Sequence, residues 1–517
     1  MAAIITDQFR LFSARNLVSS VEAEENTYYA FIGLPNASDY DSNWDASPPS
    51  PLDSFDNHND IWDTIIALKR IKGENCLNVV RKISWSSGTS YDMYRHDISR
   101  NNVSNVTGST SLYSSNYYII NKDYRVYICL ENGTDPEHPS GKPSLVEPLF
   151  IDFEPRSSSD GYVWKYLYTM TPEDVIKFDS LNYMPVPKDW EVTNDLLYTN
   201  ALFSGQIKTA IIKNRGTNLG PARTYSNVSI VGDGDGAEAT IIVGNDSTVE
   251  SITISNGGSG YTHAKVDIAS AGLDPGSDSE VPEFDVIIPP PGGHGFDIYK
   301  ELGAHNVLIY ARVQNDEENP DFTVGNKIAR IGLIENPTDI NDNFLFDDTI
   351  SALPALKLTG INLDSDYQNA TFEYNGVIEQ TIGTGITAYG RIVSYDNKTG
   401  VLKYWKDRTL SGFDTGTYNK IESSYGDEVY EFTSSPEAGG SLVITGGSVN
   451  LQIQQAFSGI STTINNTDNY NLGQEFLDGI SSPEVKKYSG NIIYIDNRPS
   501  ITRSSNQKED IKIVLQF

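Results

Sequence analysis

The side chains best equipped for chemistry in this chain are six histidines, at positions 58, 96, 138, 263, 294 and 305, set among 69 acidic residues. Imidazole moves protons near neutral pH and ligates metals, and two histidines one helical turn apart would grip one ion. These six are scattered, with no HExxH and no paired spacing, so no metal is expected. His294, in "GGHGFDIY" (Gly292–Tyr299), is the best single catalytic candidate, because its glycine neighbours let a ligand approach the backbone and Asp297 follows. The plainer reading of that stretch is a glycine corner between domains. "DGDGAE" (Asp233–Glu238) and "DNHND" (Asp56–Asp60) offer the hard oxygens that calcium takes. Neither completes the twelve-residue calcium loop, and solvated turns rich in Asp and Asn look the same. No G-x-S-x-G elbow, P-loop or dinucleotide fingerprint occurs, so nucleophilic and nucleotide-dependent routes are unsupported and no cofactor is expected. Carboxylate pairs suited to glycoside hydrolysis exist among any large set of acids, but sequence cannot show their separation.

The elements that would position such groups read mostly as strands and turns. Asp160–Met170, "DGYVWKYLYTM", enters through an Asp160-Gly161 turn signal and alternates so that Tyr162, Trp164, Tyr166 and Tyr168 share one face. Four rings, each burying about 150–250 Å², make that face a core or an interface; a sugar-stacking platform is the sharper reading. "TYYAFIGL" (Thr27–Leu34), "VYICL" (Val126–Leu130), "NVLIYARV" (Asn306–Val313) and "KIARIGLI" (Lys327–Ile334) are compact strand runs. In "GRIVSYDNKTGVLKYW" (Gly390–Trp405), Asn397–Gly400 predicts a hairpin loop. Three helices are expected. Phe9, Phe12, Leu17 and Val21 recur at helical spacing between Thr6 and Glu22; Asp60 would cap "IWDTIIALKRI", with Ile61, Trp62, Ile65 and Leu68 on one face; "NLGQEFLDGI" (Asn471–Ile480) would be short. Ala210–Ile230 and Ser251–Ile268 share an apolar strand, Asn-x-Gly, a tyrosine and a Val-x-Ile strand, a degenerate repeat of roughly forty residues.

Composition sets the outer bounds. With 517 residues the chain can bury a large interior and divide into domains, and 42 Gly, 24 Pro and 30 Tyr favour strands and turns. A net charge of -31 repels phosphate, which argues against nucleic acid and anionic membrane as partners. Cys76 and Cys129 are too few for a disulfide framework or a metal site and read as buried thiols, with a single bridge as the alternative. The N-terminus lacks a signal-peptide pattern and no apolar run approaches a membrane span, so a soluble protein made in a cytoplasm is expected.

The closing segment alternates again: Ile511, Ile513, Leu515 and Phe517 point one way in a terminal strand. A strand Asn491–Ile495 precedes it, joined by an arch through Asn497, Arg498 and Pro499, where proline breaks the pairing and Arg498 could pin the arch through Asp496. "IIYIDNRPSITRSSNQKEDIKIVLQF" (Ile492–Phe517) resembles the C-terminus of a baseplate wedge subunit of contractile-tailed, T-even-like bacteriophages. "DGYVWKYLYTM" is similar to that family's central Asp-Gly-Tyr-Val-Trp strand, in the expected order, and the N-terminal helix and strand, the Pro-rich loop before "DIWDTIIALKRI" and, more weakly, "NKIARIGLIENPTD" (Asn326–Asp339) extend the likeness. The segment "NGGSGYT" (Asn256–Thr262) is similar to modules in structural proteins of marine cyanobacterial phages.

The resemblance implies a mainly β fold, a multi-layer β-sandwich core with a few short helices, and the chain departs from that compact pattern at two places that read as inserted small β domains. The core would comprise residues 1–204, 291–344 and 461–517, with insertions at 205–290 and 345–460. It implies a structural virion protein of the tail baseplate, not an enzyme. The protein would be a homodimer contacting other wedge proteins and tail-fibre-connecting proteins, with the C-terminal strand paired inside a sheet to anchor the chain end. Asp160, Gly161, Tyr162, Trp164, Asn497, Arg498, Pro499 and Phe517 are the expected structural motif, with no catalytic residue. The rival is a carbohydrate-binding adhesin or polysaccharide depolymerase of the tail, using the aromatic run or the insertions.

Overall fold

The computed structural model describes residues 6–517 apart from 37–42, 189, 191–197, 199–204, 274–279, 316–319, 360–370, 385, 408–409, 411–429, 436–439 and 465–467. The chain is mainly β, built from several antiparallel sheets, with four α-helices among the described residues. It forms two compact units: Met1–Val18, Cys76–Ile309 and Ile513–Phe517 make the first, Ser19–Asn75 and Tyr310–Lys512 the second. Segment 205–290 lies wholly in the first and 345–460 wholly in the second.

The first unit is organised around the aromatic strand. Tyr162–Thr169 sits between Arg125–Asn132 and the short Arg156–Ser157, and Arg125–Asn132 also pairs with Tyr118–Ile120. β-Branched and aromatic residues dominate the middle strands because both faces are covered: Val126–Leu130 are all buried, and so are Tyr162, Trp164, Tyr166 and Tyr168. Trp164 stacks on Tyr162 (centroids 5.3 Å) and meets Tyr91 edge-on (5.9 Å). Cys76 and Cys129 are both free and buried. A second sheet runs in the order Val249–Ser259, Asp235–Val243, Arg223–Gly232, Ala264–Val266. The two copies of the sequence repeat end on strands that pair with each other, Ile230 opposite Val266, while their first strands lie in different sheets. Cys76–Arg81 pairs with Tyr183–Pro185 and with the start of Asn306–Gln314. The chain end closes there, Phe517 N–H donating to His305 O at 3.3 Å.

In the second unit a five-stranded sheet runs Thr349–Ser351, Ile65–Ile71, Tyr28–Gly33, Lys327–Glu335, Asn491–Thr502. Its centre, Tyr28–Gly33, is buried at every residue. A larger sheet places the predicted hairpin, Ile386–Asp396 and Val401–Trp405, between Val377–Gly383 and Ala355–Lys357. Gly400 takes φ +69° at the end of that hairpin loop, a conformation glycine adopts without a Cβ penalty. Gly459–Ile464 and Asp468–Phe476 form a separate ribbon.

Several expectations are corrected. The first helix spans Asp7–Ala23, but its buried stripe is Leu11, Ala14, Val18 and Val21, whereas Phe9 and Phe12 are 59% and 61% exposed. The second helix spans Phe55–Thr64, capped by Ser54, and "DNHND" lies within it; from Ile65 the chain is a strand, paired on both sides, because tertiary pairing of a β-branched run outweighs helical spacing. "NLGQEFLDGI" is mostly strand rather than helix; Leu472, Gln474 and Phe476 are buried at period 2. Asn491–Thr502 runs on past Ile495 as one strand, but its pairing does lapse at the expected arch: Asn497 faces Arg330 and Ile501 faces Ile328, with Arg498, Pro499 and Ser500 outside the ladder. It is an edge strand paired only with Lys327–Glu335, and its register shifts between Ile328 and Arg330, so Pro499 removes no ladder bond from an interior. The terminal strand Lys508–Gln516 is also an edge, beside Asn306–Gln314, not a strand inside its sheet.

Candidate functional site

The residues singled out in the sequence fall at several places. Asp160 and Gly161 close the turn into the aromatic strand. The Asp160 carboxylate accepts from Leu145 N (2.6 Å), Val146 N (2.9 Å), Tyr162 N (3.3 Å) and the Ser158 hydroxyl. Partial burial works against the charge, yet these donors hold the carboxyl below its ordinary value. Tyr162 and Trp164 are wholly buried, which closes the sugar-platform reading of that strand. In the second unit, Asn497 Nδ2 donates to Pro49 O (2.9 Å), Arg498 O accepts from Trp44 Nε1 (2.8 Å), and Ser500 N donates to Asp45 (3.1 Å). Arg498 Nε pairs with Asp496 at 2.5 Å on an exposed surface.

His294 meets a carboxylate, but not the expected Asp297. Its Nδ1 lies 2.6 Å from Glu301 Oε1, Gly295 N donates to Glu301 Oε2 (2.7 Å), and the ring packs edge-on against Tyr94 (centroids 4.8 Å). At 7% and 2% exposure the pair is sealed, and it fastens the glycine corner to the helix Ile298–Leu302. Asp297 instead caps that helix through Lys300 N and pairs with Arg15 (2.7 Å). Asp233 accepts from Thr262 and His263 in a turn, and those hydrogen bonds hold it far below the carboxylate range.

Asp135, Glu137 and His138 bring three ligand atoms within 4.8 Å of one another. Glu137 is already gripped by both arms of Arg215 (2.7 and 3.0 Å), and Asp135 faces Lys142 (3.4 Å) and His138 (2.9 Å). The local cations neutralise this cluster, so the residues do not fit a bound ion well.

The second unit holds a cleft of about 500 Å³. Its lining comes from Asn315, Pro320, Thr323 and Val324, from seven residues of the hairpin between Ser394 and Lys403, from Tyr470–Leu472, and from Ser505 with Asn506. The hairpin supplies one wall because Asp396 organises its loop, accepting from Lys398 N (3.0 Å) and Thr399 Oγ1 (2.6 Å). Val401 and Leu472 make an apolar floor. Lys403 lies in that floor with its ammonium drawn to Pro320 O (3.2 Å) and Asp321 (3.9 Å). Burial pushes the Lys403 amine down and the Asp321 carboxyl up from their ordinary values. Gly473, at φ +82°, lets the strand bearing Tyr470 and Leu472 sit against Pro320, where an added Cβ would meet the proline ring at 2.9 Å. The sequence placed the hairpin, read Asn471 and Leu472 as the start of a helix, put Ser505 and Asn506 in the closing segment, and marked none of them as a site. The alternation of Leu472, Gln474 and Phe476 is the signal that would have found the facing strand. Comparison with known families returns no matching family model, and comparison with curated proteins returns no match.

Proposed function

We infer that the chain is a structural component of a phage tail baseplate wedge, working as a homodimer with neighbouring wedge proteins and tail-fibre-connecting proteins. In that role it helps relay the rearrangement that precedes sheath contraction. The observation that carries the reading is the ordered series of motifs from the N-terminal helix through Asp160–Met170 to the closing Ile492–Phe517. Two features support it. The motif residues Tyr162 and Trp164 serve the core rather than a ligand. Leu145, Val146, Leu149, Ile151 and Phe153 are all exposed along one extended stretch, apolar surface of the kind that assemblies cover. Light scattering tests the reading: a particle of twice 57.0 kDa is expected. A monomer counts against it, and a trimer favours the adhesin.

A further inference from the structure

We propose that the cleft between the Ser394–Lys403 hairpin and the strand at Tyr470 binds a short neutral saccharide. The chemistry lies in what its walls leave uncommitted. Asn315, Ser394, Tyr470, Ser505 and Asn506 spend no side-chain hydrogen bond within the described protein, and Asn471 spends only its Oδ1, on Gly473 N (3.0 Å). Amides and hydroxyls both donate and accept, which matches vicinal sugar hydroxyls, each of which does the same. The volume, about 500 Å³, is that of a small-molecule site. Two half-buried tyrosines add apolar ring surface for sugar C–H faces: Tyr470, and Tyr395, which is steadied by stacking on Phe372 at 3.8 Å.

Charge selects against anions. Lys403 is offset by Asp321, Asp396 adds a carboxylate to the wall that carries Lys398, and the whole chain, at -31, repels negative ligands at a distance. The site draws on both sides of segment 345–460, so it gives that segment a task independent of the wedge reading. The test is saturation-transfer NMR on the full chain with cellobiose, maltose and N,N′-diacetylchitobiose, alongside glucose 6-phosphate. Transfer is expected from at least one neutral disaccharide and not from the phosphate. Asn506→Ala, at an exposed position, and Tyr470→Ala should each weaken it about tenfold, the loss of roughly one good contact, with unchanged melting temperature for Asn506→Ala. No transfer from any neutral sugar, equal transfer in Asn506→Ala, or preference for the phosphate would overturn the proposal.

Discussion

Glu484 is the residue whose charge state says most about the second unit. Burial lifts its carboxyl from 4.5 to about 7, although Ser351 N donates to it at 2.7 Å. Glu131, in the first unit, is lifted to about 7 by burial against the pull of Lys142. A carboxyl raised on folding binds more protons in the folded than in the unfolded state between about pH 4.5 and 7. Its contribution is therefore full below the unfolded value and lost as pH rises through the folded one. Melting curves should show the protein less stable at pH 8 than at pH 5. Glu484→Gln, which keeps an acceptor for Ser351, should shrink that difference by up to roughly 3 kcal/mol, because each tenfold change in proton affinity is worth about 1.4 kcal/mol. A pH dependence untouched by Glu484→Gln would mean the carboxyl is charged in the fold throughout.

At the scale of elements, the closing strand separates packing from display. Asp510 holds Arg312 with two hydrogen bonds (2.6 and 2.9 Å) and accepts from Tyr310 (2.9 Å), yet the Arg312 and Asp510 side chains are 46% and 41% exposed. An exposed pair contributes little, so Asp510→Ala should cost under about 1 kcal/mol. Ile511 and Ile513 are buried on the opposite alternation, and truncating either to alanine should cost about 2–5 kcal/mol. Deleting Ile511–Phe517 removes both together with a ladder of backbone bonds, and loss of soluble protein is the expected outcome. A soluble truncation with an unchanged melt would reduce the strand to an ornament. The same alternation made this strand visible in sequence, whereas its place at an edge depends on Asn306–Gln314, about two hundred residues away.

For the molecule as a whole, the charge of -31 keeps copies apart at neutral pH and fades towards the pI near 4.5. Stability and solubility should therefore part company under acid. Between pH 7 and 5 the melting temperature should rise as Glu131 and Glu484 protonate, while static light scattering near pH 4.5 reports self-association of folded chains. Association that appears only with loss of the folded circular dichroism signal would place its origin in unfolding instead of charge. The exposed run Leu145–Phe153 is the surface best suited to nucleate such contacts once repulsion is gone.

What the sequence alone determined is local. Period-2 alternation marked the aromatic strand and the chain end, compact apolar runs marked Asn306–Val313 and Lys327–Ile334, and the Asn397–Gly400 turn marked a hairpin, because backbone geometry and burial act between near neighbours. Where local signals conflicted, tertiary partners decided. Ile65–Ile71 left its helical spacing for two flanking strands, Pro499 stayed in a strand because that strand is an edge, and the first helix buried Leu11 and Ala14 rather than its two phenylalanines. The Glu301 partner of His294 and the cleft at Tyr470 were equally out of reach of sequence. Each depends on which side chains long-range pairing brings within a few ångströms, and no spacing along a chain records that distance.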